Sequence, residues 1–283
     1  MIRVPQRLVF MGSPEFSAYI LASLAKHYSI SGVFTQPDRE SGRGKLLTPP
    51  PVKIIASQLN IPVFQPAKLK TPEAFEELKQ LEPDVIIVAA YGQILRQNVL
   101  DLPPYGCINV HASYLPRWRG AAPIQAASLS GDEYTGVSIM KMDAGIDTGP
   151  VLAKIKVSID AMETAKTLEK KLAAVGSELL IKTLPPYLEG KITPVDQPAT
   201  GSTYAGMLKK QDGLLDFSKP ALEIERQVRA YDDWPGTFMV VHGQILKIRK
   251  VVVVEEQHGQ AGIRGIIAGK PVVGTSRGSL MLE

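Results

Sequence analysis

The apolar and polar positions follow two different patterns along the chain. Up to about residue 190, short apolar runs alternate with stretches whose apolar residues recur at helical spacing. The predicted strands are Arg7–Met11, Ile30–Thr35, Val85–Ala90, Gly106–Val110, Tyr134–Met142 and Val151–Ile159. The predicted helices are one that opens at Pro14, Val52–Leu59, Pro72–Leu81 and Thr164–Leu184. This alternation predicts an α/β fold with a Rossmann-like open sheet and helices on both faces.

The second pattern starts after a stretch rich in Pro, Gly, Thr and Ser, residues 190–206, which is typical of a linker. One short helix and several β-rich runs follow it, a pattern that predicts a small, mostly antiparallel, OB-like β-barrel. These predicted elements are Ala221–Ala230, Thr237–Val241, Gln244–Val254, Ile263–Ala268 and Pro271–Thr275. We therefore expect a first domain at 1–189, a linker at 190–206 and a C-terminal β domain at 207–283.

Composition fits an ordinary globular chain. Of 283 residues, 45% are apolar and 21% charged, enough for a sizeable core. The single cysteine, Cys107, excludes an internal disulfide and fits a reducing cytosol. Glu15 interrupts the N-terminal apolar run, and no apolar run is long enough to span a bilayer, so we expect a cytoplasmic protein without signal peptide or membrane association. The net charge of +4 permits a polyanionic partner without requiring one.

Asn109 and His111 stand at the end of a predicted strand. Their i, i+2 spacing projects both side chains to the same face. Open α/β sheets bind ligands at the carboxyl ends of their strands, and an amide beside an imidazole can stabilise an oxyanion there. The spacing alone also fits a polar strand end with a packed histidine.

Asp147 lies between Gly145 and Gly149 in a loop that joins two predicted strands. Such a loop can present a carboxylate to a cleft. A carboxylate beside His111 would stabilise the protonated imidazole and could accept or relay a proton. Taken alone, the pattern fits equally well an aspartate that stabilises its own turn.

Residues 35–53 read as a long loop, in which Arg39, Arg43 and Lys45 stand among glycines. A flexible basic loop suits contacts with a phosphate backbone, although a merely solvated loop has the same composition.

Several other functions are excluded by missing motifs. FMGSPEF follows a strand but contains only one glycine of the dinucleotide-binding fingerprint, which argues against a nucleotide-dependent dehydrogenase. Gly274–Gly278 matches the nucleophile elbow, but no histidine follows it, so we interpret it as a turn between strands. The four histidines lack metal-ligand spacing, and no metal site is expected.

The chain resembles the methionyl-tRNA formyltransferase family of folate-dependent formyltransferases over nearly its whole length. The resemblance lies in FMGSPEFS, the QPD to TPPPVK loop, AAYGQIL, INVHASYLPRWRGAAPIQ, MDAGIDTGPVL and DGLLDFSKPALEIERQVRAYDDWPGTF. It implies that the catalytic residues are Asn109, His111 and Asp147. It implies folate contacts from Gln93, Ile94, Leu95, Ser113, Tyr114, Leu115 and Pro116. Arg43 and Lys45 would bind tRNA, with further phosphate contacts from the C-terminal domain.

The implied reaction moves a formyl group from 10-formyltetrahydrofolate to the amino group of initiator methionyl-tRNA, without a metal and in a monomer. Asn109 and His111 would donate hydrogen bonds to the developing oxyanion, and Asp147 would transfer protons. Two substitutions depart from the usual pattern, Ala112 for serine and Tyr114 for leucine, and Tyr114 bears on the folate contact. Family members usually continue past residue 283, so we expect a C-terminal barrel that is either naturally short or truncated.

Two alternatives stay open. A formyltransferase for a small amine, such as a nucleotide sugar or glycinamide ribonucleotide, would share the three catalytic residues but give the C-terminal domain no role. A nonenzymatic RNA-binding protein would use the β domain and would have no need for Asn109, His111 and Asp147.

Overall fold

The computed structural model describes residues 7–41 and 46–283. The chain divides into two compact units. The first comprises Met1–Ala121, Gly136–Val157 and Lys170–Tyr204, and the second Ala122–Thr135, Ser158–Glu169 and Ala205–Glu283. Among the described residues, no helix has the length and apolar character needed to cross a membrane.

Strands and helices alternate along the chain up to residue 205. They are β1 (Leu8–Gly12), α1 (Glu15–Leu24), β2 (Ile30–Phe34), β3 (Arg39–Ser41), β4 (Leu46–Thr48), α2 (Pro51–Gln58), β5 (Val63–Phe64), α3 (Pro72–Gln80), β6 (Val85–Ala89), α4 (Gln97–Leu100) and β7 (Cys107–His111). There follow β8 (Arg119–Gly120), α5 (Pro123–Ser130), β9 (Tyr134–Lys141), β10 (Val151–Ser158), α6 (Ala165–Leu188) and β11 (Tyr204–Ala205).

A seven-stranded sheet organises the first unit, in the order β10-β9-β7-β6-β1-β2-β5. Strands β5, β2, β1, β6 and β7 pair in parallel, and β9 pairs antiparallel to β7. The chain moves outward from β1 through β2 to β5, then returns to the other side of β1 with β6. The strand order thus reverses between β1 and β6, and ligands of open α/β sheets bind beyond the carboxyl ends of the strands near such a point. The Rossmann-like open α/β sheet predicted from the sequence is confirmed, and most of its strands are parallel.

Gly12, at the end of β1, allows the two central strands to pack closely. A Cβ atom there would lie 2.7 Å from the carbonyl oxygen of Ala89 and 2.6 Å from Cβ of Ser17. The Ser17 hydroxyl donates to that same Ala89 carbonyl at 2.5 Å. The glycine in FMGSPEF therefore serves a tight strand-to-helix turn, as the sequence indicates.

The prediction of one long loop at residues 35–53 is wrong in part. Strands β3 and β4 pair antiparallel, with Arg39 opposite Thr48, and α2 already begins at Pro51. These strands have three residues each and lack an alternating apolar pattern, so periodicity could not reveal them.

Helix α6 continues four residues past its predicted end at Leu184. Pro185 and Pro186 lie inside it, although proline usually ends a helix because it lacks a backbone donor. Burial of Leu188 and a 2.8 Å hydrogen bond from the Tyr187 hydroxyl to the carbonyl of Tyr105 hold the last turn in place.

The second unit is dominated by antiparallel strands, which confirms the C-terminal β architecture. Its remaining helix is α7 (Ala221–Ala230), and its strands are β12 (Thr237–Val241), β13 (Gln244–Ile248), β14 (Val251–Val254), β15 (Arg264–Ile267), β16 (Lys270–Gly274) and β17 (Ser279–Leu282). Strands β12 and β13 form a hairpin, and the other four form a sheet in the order β14-β17-β16-β15. Ile224 and Val228 of α7 pack with Val273 and Leu280 in the core of this unit. Gly274–Gly278 forms the turn between β16 and β17, and the sequence did not predict β17.

Candidate active site

Asn109 and His111 lie on one face of β7, near the carboxyl end of this strand. The strand pairs with β6 on one side and β9 on the other, so its backbone is held from both directions. Only 8% of Asn109 and 6% of His111 is exposed. Polar groups this deeply buried need partners, because an unpaired buried donor or acceptor is costly.

Asp147 supplies a shared partner. Asn109 Nδ2 donates to Asp147 Oδ1 at 3.2 Å, and His111 Nδ1 lies 3.6 Å from Asp147 Oδ2. The backbone N–H of Gly120 donates to the same Oδ2 at 2.8 Å. The structure therefore brings together the three residues that the sequence singles out as catalytic, with one carboxylate facing all the others.

The imidazole of His111 has acceptors on both sides. Its Nε2 lies 2.9 Å from the carbonyl oxygen of Trp118, and because a carbonyl only accepts, Nε2 must carry the hydrogen. The other ring nitrogen faces the carboxylate of Asp147. A ring so placed can donate from both nitrogens once it is protonated.

Asp147 has a backbone φ of +51°, which non-glycine residues seldom adopt. Gly149, two residues later, passes so close to the backbone of Lys141 that a Cβ would lie 1.9 Å from the carbonyl oxygen. The loop is thus folded tightly against β9, which turns the Asp147 side chain toward β7.

Two further side chains, Gln197 and Arg119, connect to this loop, and the sequence did not identify either as a site residue. Gln197 Nε2 donates to the carbonyls of Asp147 and Gly149, each at 2.8 Å. Arg119 Nε and Nη2 both donate to Gln197 Oε1, at 3.1 and 2.8 Å. These bonds end on backbone carbonyls or join distant residues, so no spacing in the sequence signals them.

Of the residues expected to contact folate, Ser113 and Leu115 are fully buried. The Ser113 hydroxyl donates to the carbonyl of Arg117 at 2.7 Å, and the Leu115 N–H donates to the hydroxyl of Ser138 at 3.1 Å. Pro116 is half-buried. The Ser113 hydroxyl and the Leu115 backbone N–H are therefore committed to holding the turn after β7.

Tyr114 has a different environment. The ammonium groups of Lys154 and Lys156 lie 4.3 and 5.5 Å from the centre of the Tyr114 ring. Lys154 also donates to the carbonyl of Leu115 at 2.9 Å. A Cβ on Gly136 would lie 3.1 Å from the Tyr114 ring, so the ring rests on β9. This aromatic side chain is accommodated by the glycine beneath it and the lysines of β10.

The three residues of the segment expected to line the pterin pocket, Gln93, Ile94 and Leu95, lie in different environments. Gln93 accepts from the N–H of Leu69 at 2.6 Å and donates to the carbonyl of Pro66 at 3.1 Å. Leu95 is buried in the core beside β6, whereas Ile94 is 83% exposed. The three side chains do not converge on one point.

Arg43 and Lys45, expected to bind tRNA, lie outside the described residues. The residues at the base of the β3–β4 pair are described. Lys53 Nζ contacts both oxygens of Asp38, at 2.8 and 2.7 Å, and Gln65 Nε2 donates to Asp38 Oδ1 at 2.7 Å. The hydrogen bonds from Gln65 and then Lys53 lower the pKa of Asp38 below its ordinary value.

Metal ligation and a pocket in the second unit are the other features that bear on function. In the part of the chain that the structure describes, no group of three or more His, Cys, Asp or Glu side chains could hold a metal ion.

A pocket of about 610 Å³ lies in the second unit and contains none of the predicted site residues. Its charged lining mixes Lys219 and Arg226 with Asp212, Asp216 and Glu223, which does not favour a polyanion.

Both halves of the chain match known protein families. Residues 6–184 match the formyl transferase family, and residues 207–283 match the C-terminal domain of formyl transferases. The chain belongs to the formyl transferase family. The family resemblance stated from the sequence is thereby confirmed.

Individual relatives within this family are similar over nearly the whole chain. A methionyl-tRNA formyltransferase of Myxococcus xanthus (strain DK1622) is 48% identical over 98% of this chain and 88% of its own length. Another, of Halorhodospira halophila (strain DSM 244 / SL1), is 52% identical over 81% of this chain and 74% of its own.

Among solved structures, the N-formyltransferase of Helicobacter canadensis, crystallised with folinic acid and dTDP-3-aminofucose, superposes with a TM-score of 0.72. It is 18% identical and the match covers 99% of both chains. At this identity, the likeness establishes the fold of this formyl transferase and not its substrate.

Proposed function

We propose that the protein transfers the formyl group of 10-formyltetrahydrofolate to the amino group of methionyl-tRNA, giving N-formylmethionyl-tRNA for translation initiation. The observation that carries this proposal is the identity of 42–52% to methionyl-tRNA formyltransferases along most of the chain, both domains included. The cluster of Asn109, His111 and Asp147 supports it, because formyl transfer needs oxyanion donors and a proton carrier at one point.

In the proposed reaction, the amine attacks the formyl carbon and negative charge grows on the formyl oxygen. The Nδ2 group of Asn109 has two hydrogens, of which one is committed to Asp147, so the second is available to that oxygen. Protonated His111 is the second donor. To reach the oxyanion with Nε2, it must exchange the carbonyl of Trp118 for the formyl oxygen.

Asp147 is the proposed proton carrier. The attacking nitrogen loses a proton and the N10 atom of the folate gains one, so one group that can take and return a proton serves both steps. The Asp147 carboxylate is only partly enclosed, at 15% side-chain exposure, which leaves it accessible to a water or to the amine itself.

The remaining predicted residues extend this proposal. Gln93, Ile94, Leu95 and the turn from Ser113 to Pro116 are the proposed folate contacts. Because the side chains of Ser113 and Leu115 are buried, the turn would offer the partly exposed side chains of Tyr114 and Pro116. Arg43 and Lys45 are the proposed tRNA contacts, initiator methionyl-tRNA is the proposed partner, and a metal-free cytoplasmic monomer is the proposed form.

A direct transfer assay tests the function. The purified protein is incubated with formyl-labelled 10-formyltetrahydrofolate and methionyl-tRNA, and label in the tRNA fraction and released tetrahydrofolate are both measured. Equal release of tetrahydrofolate and gain of formyl-methionyl-tRNA is expected. A parallel incubation offers a dTDP-amino sugar and glycinamide ribonucleotide as acceptors. Faster transfer to either small amine than to methionyl-tRNA would overturn the proposed acceptor while keeping the formyl transfer.

A further inference from the structure

Gln197 lies in the stretch that the sequence predicts as a linker, yet its amide group is tied to the loop of Asp147. Its Nε2 atom uses both hydrogens on backbone carbonyls, those of Asp147 and Gly149. Two bonds of 2.8 Å fix the backbone on either side of Thr148. The side chain thus acts on the position of the Asp147 carboxylate without touching it.

The other end of the same amide is also held. Gln197 Oε1 accepts two hydrogen bonds from the guanidinium of Arg119, which is only 9% exposed. Charge-assisted bonds of this kind are stronger than neutral ones and fix the orientation of the amide. Hydrogen bonds therefore link Arg119 to Gln197, and Gln197 to the Asp147 loop.

Arg119 also immediately precedes the backbone group that binds the carboxylate. The N–H of Gly120 donates to Asp147 Oδ2 at 2.8 Å. Gln197 consequently joins the segment carrying this donor to the loop carrying its acceptor. Since Asp147 has φ of +51°, a conformation that disfavours a non-glycine residue, the loop needs such outside support to stay in place.

Neighbouring parts of the predicted linker are anchored independently. Val195 and Val151 exchange two backbone hydrogen bonds, at 2.8 and 2.9 Å. Thr203 accepts from the N–H of Trp118 through its hydroxyl and from the N–H of Arg119 through its carbonyl, each at 2.9 Å. Removing the Gln197 amide therefore leaves this segment attached to the first unit.

We propose that Gln197 is a positioning residue for catalysis, which holds the Asp147 carboxylate against Asn109, His111 and the Gly120 N–H. The proposal rests on the proposed formyl transfer at this site. A misplacement of about 1 Å in a catalytic group can cost about 10²-fold in rate. We therefore expect loss of the Gln197 donors to lower kcat by about 10-fold to 10²-fold, while KM for methionyl-tRNA and for the folate stays unchanged.

Gln197→Glu is the sharpest variant. A glutamate keeps the acceptor for Arg119 but has no N–H for the two carbonyls and places negative charge against them. We expect Gln197→Glu to lose at least as much kcat as Gln197→Ala. Wild-type kcat in Gln197→Glu would overturn the proposal.

Gln257→Ala is the matched control. Gln257 also donates from Nε2 to two carbonyls, those of Gly259 and Thr275 at 2.7 and 2.8 Å, and accepts a backbone N–H on Oε1. It braces a turn of the second unit in the same way, without a catalytic residue nearby in sequence. We expect the kcat of Gln257→Ala to equal that of the wild type. An equal loss of kcat in Gln197→Ala and Gln257→Ala would show that Gln197 has only a general structural role.

A double-mutant cycle separates positioning from structure. If Gln197 acts through Asp147, Gln197→Ala should change kcat little in a background that already carries Asp147→Asn. Fully multiplicative losses would overturn the proposal.

Amide hydrogen exchange gives a readout that needs no substrate. We expect Gln197→Ala to lose protection at Gly120 and in the 145–149 loop, with the core strands unchanged, and Gln257→Ala to keep it. Unchanged protection at Gly120 would contradict the positioning role. A wild-type protein that fails to formylate methionyl-tRNA would refute the proposed function, whereas the exchange result would still decide whether Gln197 holds the loop.

Discussion

Asn109 and Asp147 are 38 residues apart in the chain, and the Asn109 amide donates directly to the Asp147 carboxylate at 3.2 Å. Because the same carboxylate also faces His111 and the Gly120 N–H, its position depends on β7, on the segment after it and on the loop before β10. A change in any of these three parts is expected to reach the others through Asp147.

Replacing either proposed oxyanion donor should slow turnover strongly. We expect Asn109→Ala and His111→Ala each to lower kcat by about 10²-fold or more, since one such donor is typically worth about 3–4 kcal/mol in the transition state. Steady-state formylation kinetics measure the loss, and circular dichroism with thermal unfolding checks that the fold is kept. Near-normal turnover in either variant would remove that residue from the oxyanion role.

Asp147→Asn should be as damaging as the loss of His111. An asparagine keeps one oxygen, which can accept from Gly120 or from Asn109, but its NH2 group then faces another donor, and no proton can be carried. Residues that act as one unit are strongly non-additive, so the double variant with His111→Ala should be little worse than either single variant. Kinetics of the three variants decide this, and multiplicative losses would show that the two residues work independently.

The sequence predicted most of the sheet and the shared face of Asn109 and His111 because both depend on local patterns. Continuous apolar runs such as Val85–Ala89 mark strands buried on both faces, and Asn109 and His111 share a face because strands alternate. The pairing of Asp147 with this strand was expected only from its loop and from the family resemblance.

What the sequence did not predict depends on contacts between distant residues. Gln197 falls in a predicted linker because its surroundings are rich in proline and glycine, yet two backbone carbonyls 48 and 50 residues away accept its hydrogens. The carbonyl of Trp118 and the N–H of Gly120 were also missed, since backbone groups leave no trace in residue type.

The thiol of Cys107 should be unreactive in the folded protein. It is 1% exposed in β7, and burial raises its pKa to about 12. Since the thiolate is the nucleophile, a disulfide reagent at pH 8 should react about 10³-fold or more slowly than with a free cysteine of pKa about 8.5. Absorbance of the released thiol measures the rate, with the urea-unfolded protein as control. Fast reaction under native conditions would show that β7 opens readily.

Asp38 should make the stability of the hairpin base depend on pH. Hydrogen bonds from Gln65 and Lys53 lower its pKa in the folded state, so the stabilisation is fully present above the unfolded pKa of about 4 and is lost as pH falls through the folded value. The free energies of unfolding of wild type and Asp38→Asn, measured in urea, should therefore differ most at pH 7 and converge in acid. Subtracting one free energy from the other cancels the contribution of the other carboxyl groups, which titrate in both proteins. A gap that stays constant down to pH 2 would contradict this prediction.

Arg43 distinguishes a tRNA acceptor from a small amine. Its loop is expected to close on the end of a nucleic acid, so Arg43→Ala should weaken use of methionyl-tRNA by about 1–3 kcal/mol, the cost of losing a hydrogen bond to a charged group. The log–log salt dependence of tRNA binding should become shallower by about one contact. Affinity for the folate should barely change, because the predicted folate contacts lie after β6 and β7.

The measurement is tRNA and folate binding for wild type and Arg43→Ala across a salt series. Arg39→Ala is the matched control, since Arg39 lies in the described base of the same hairpin, where its guanidinium donates to Gln36 Oε1 at 3.0 Å. We expect the salt slope of this control to stay closer to that of the wild type, because Gln36 holds the Arg39 guanidinium at the base of the hairpin. An unchanged slope in Arg43→Ala together with weakened folate binding would identify the loop as a cover for the folate and would favour the small-amine acceptor.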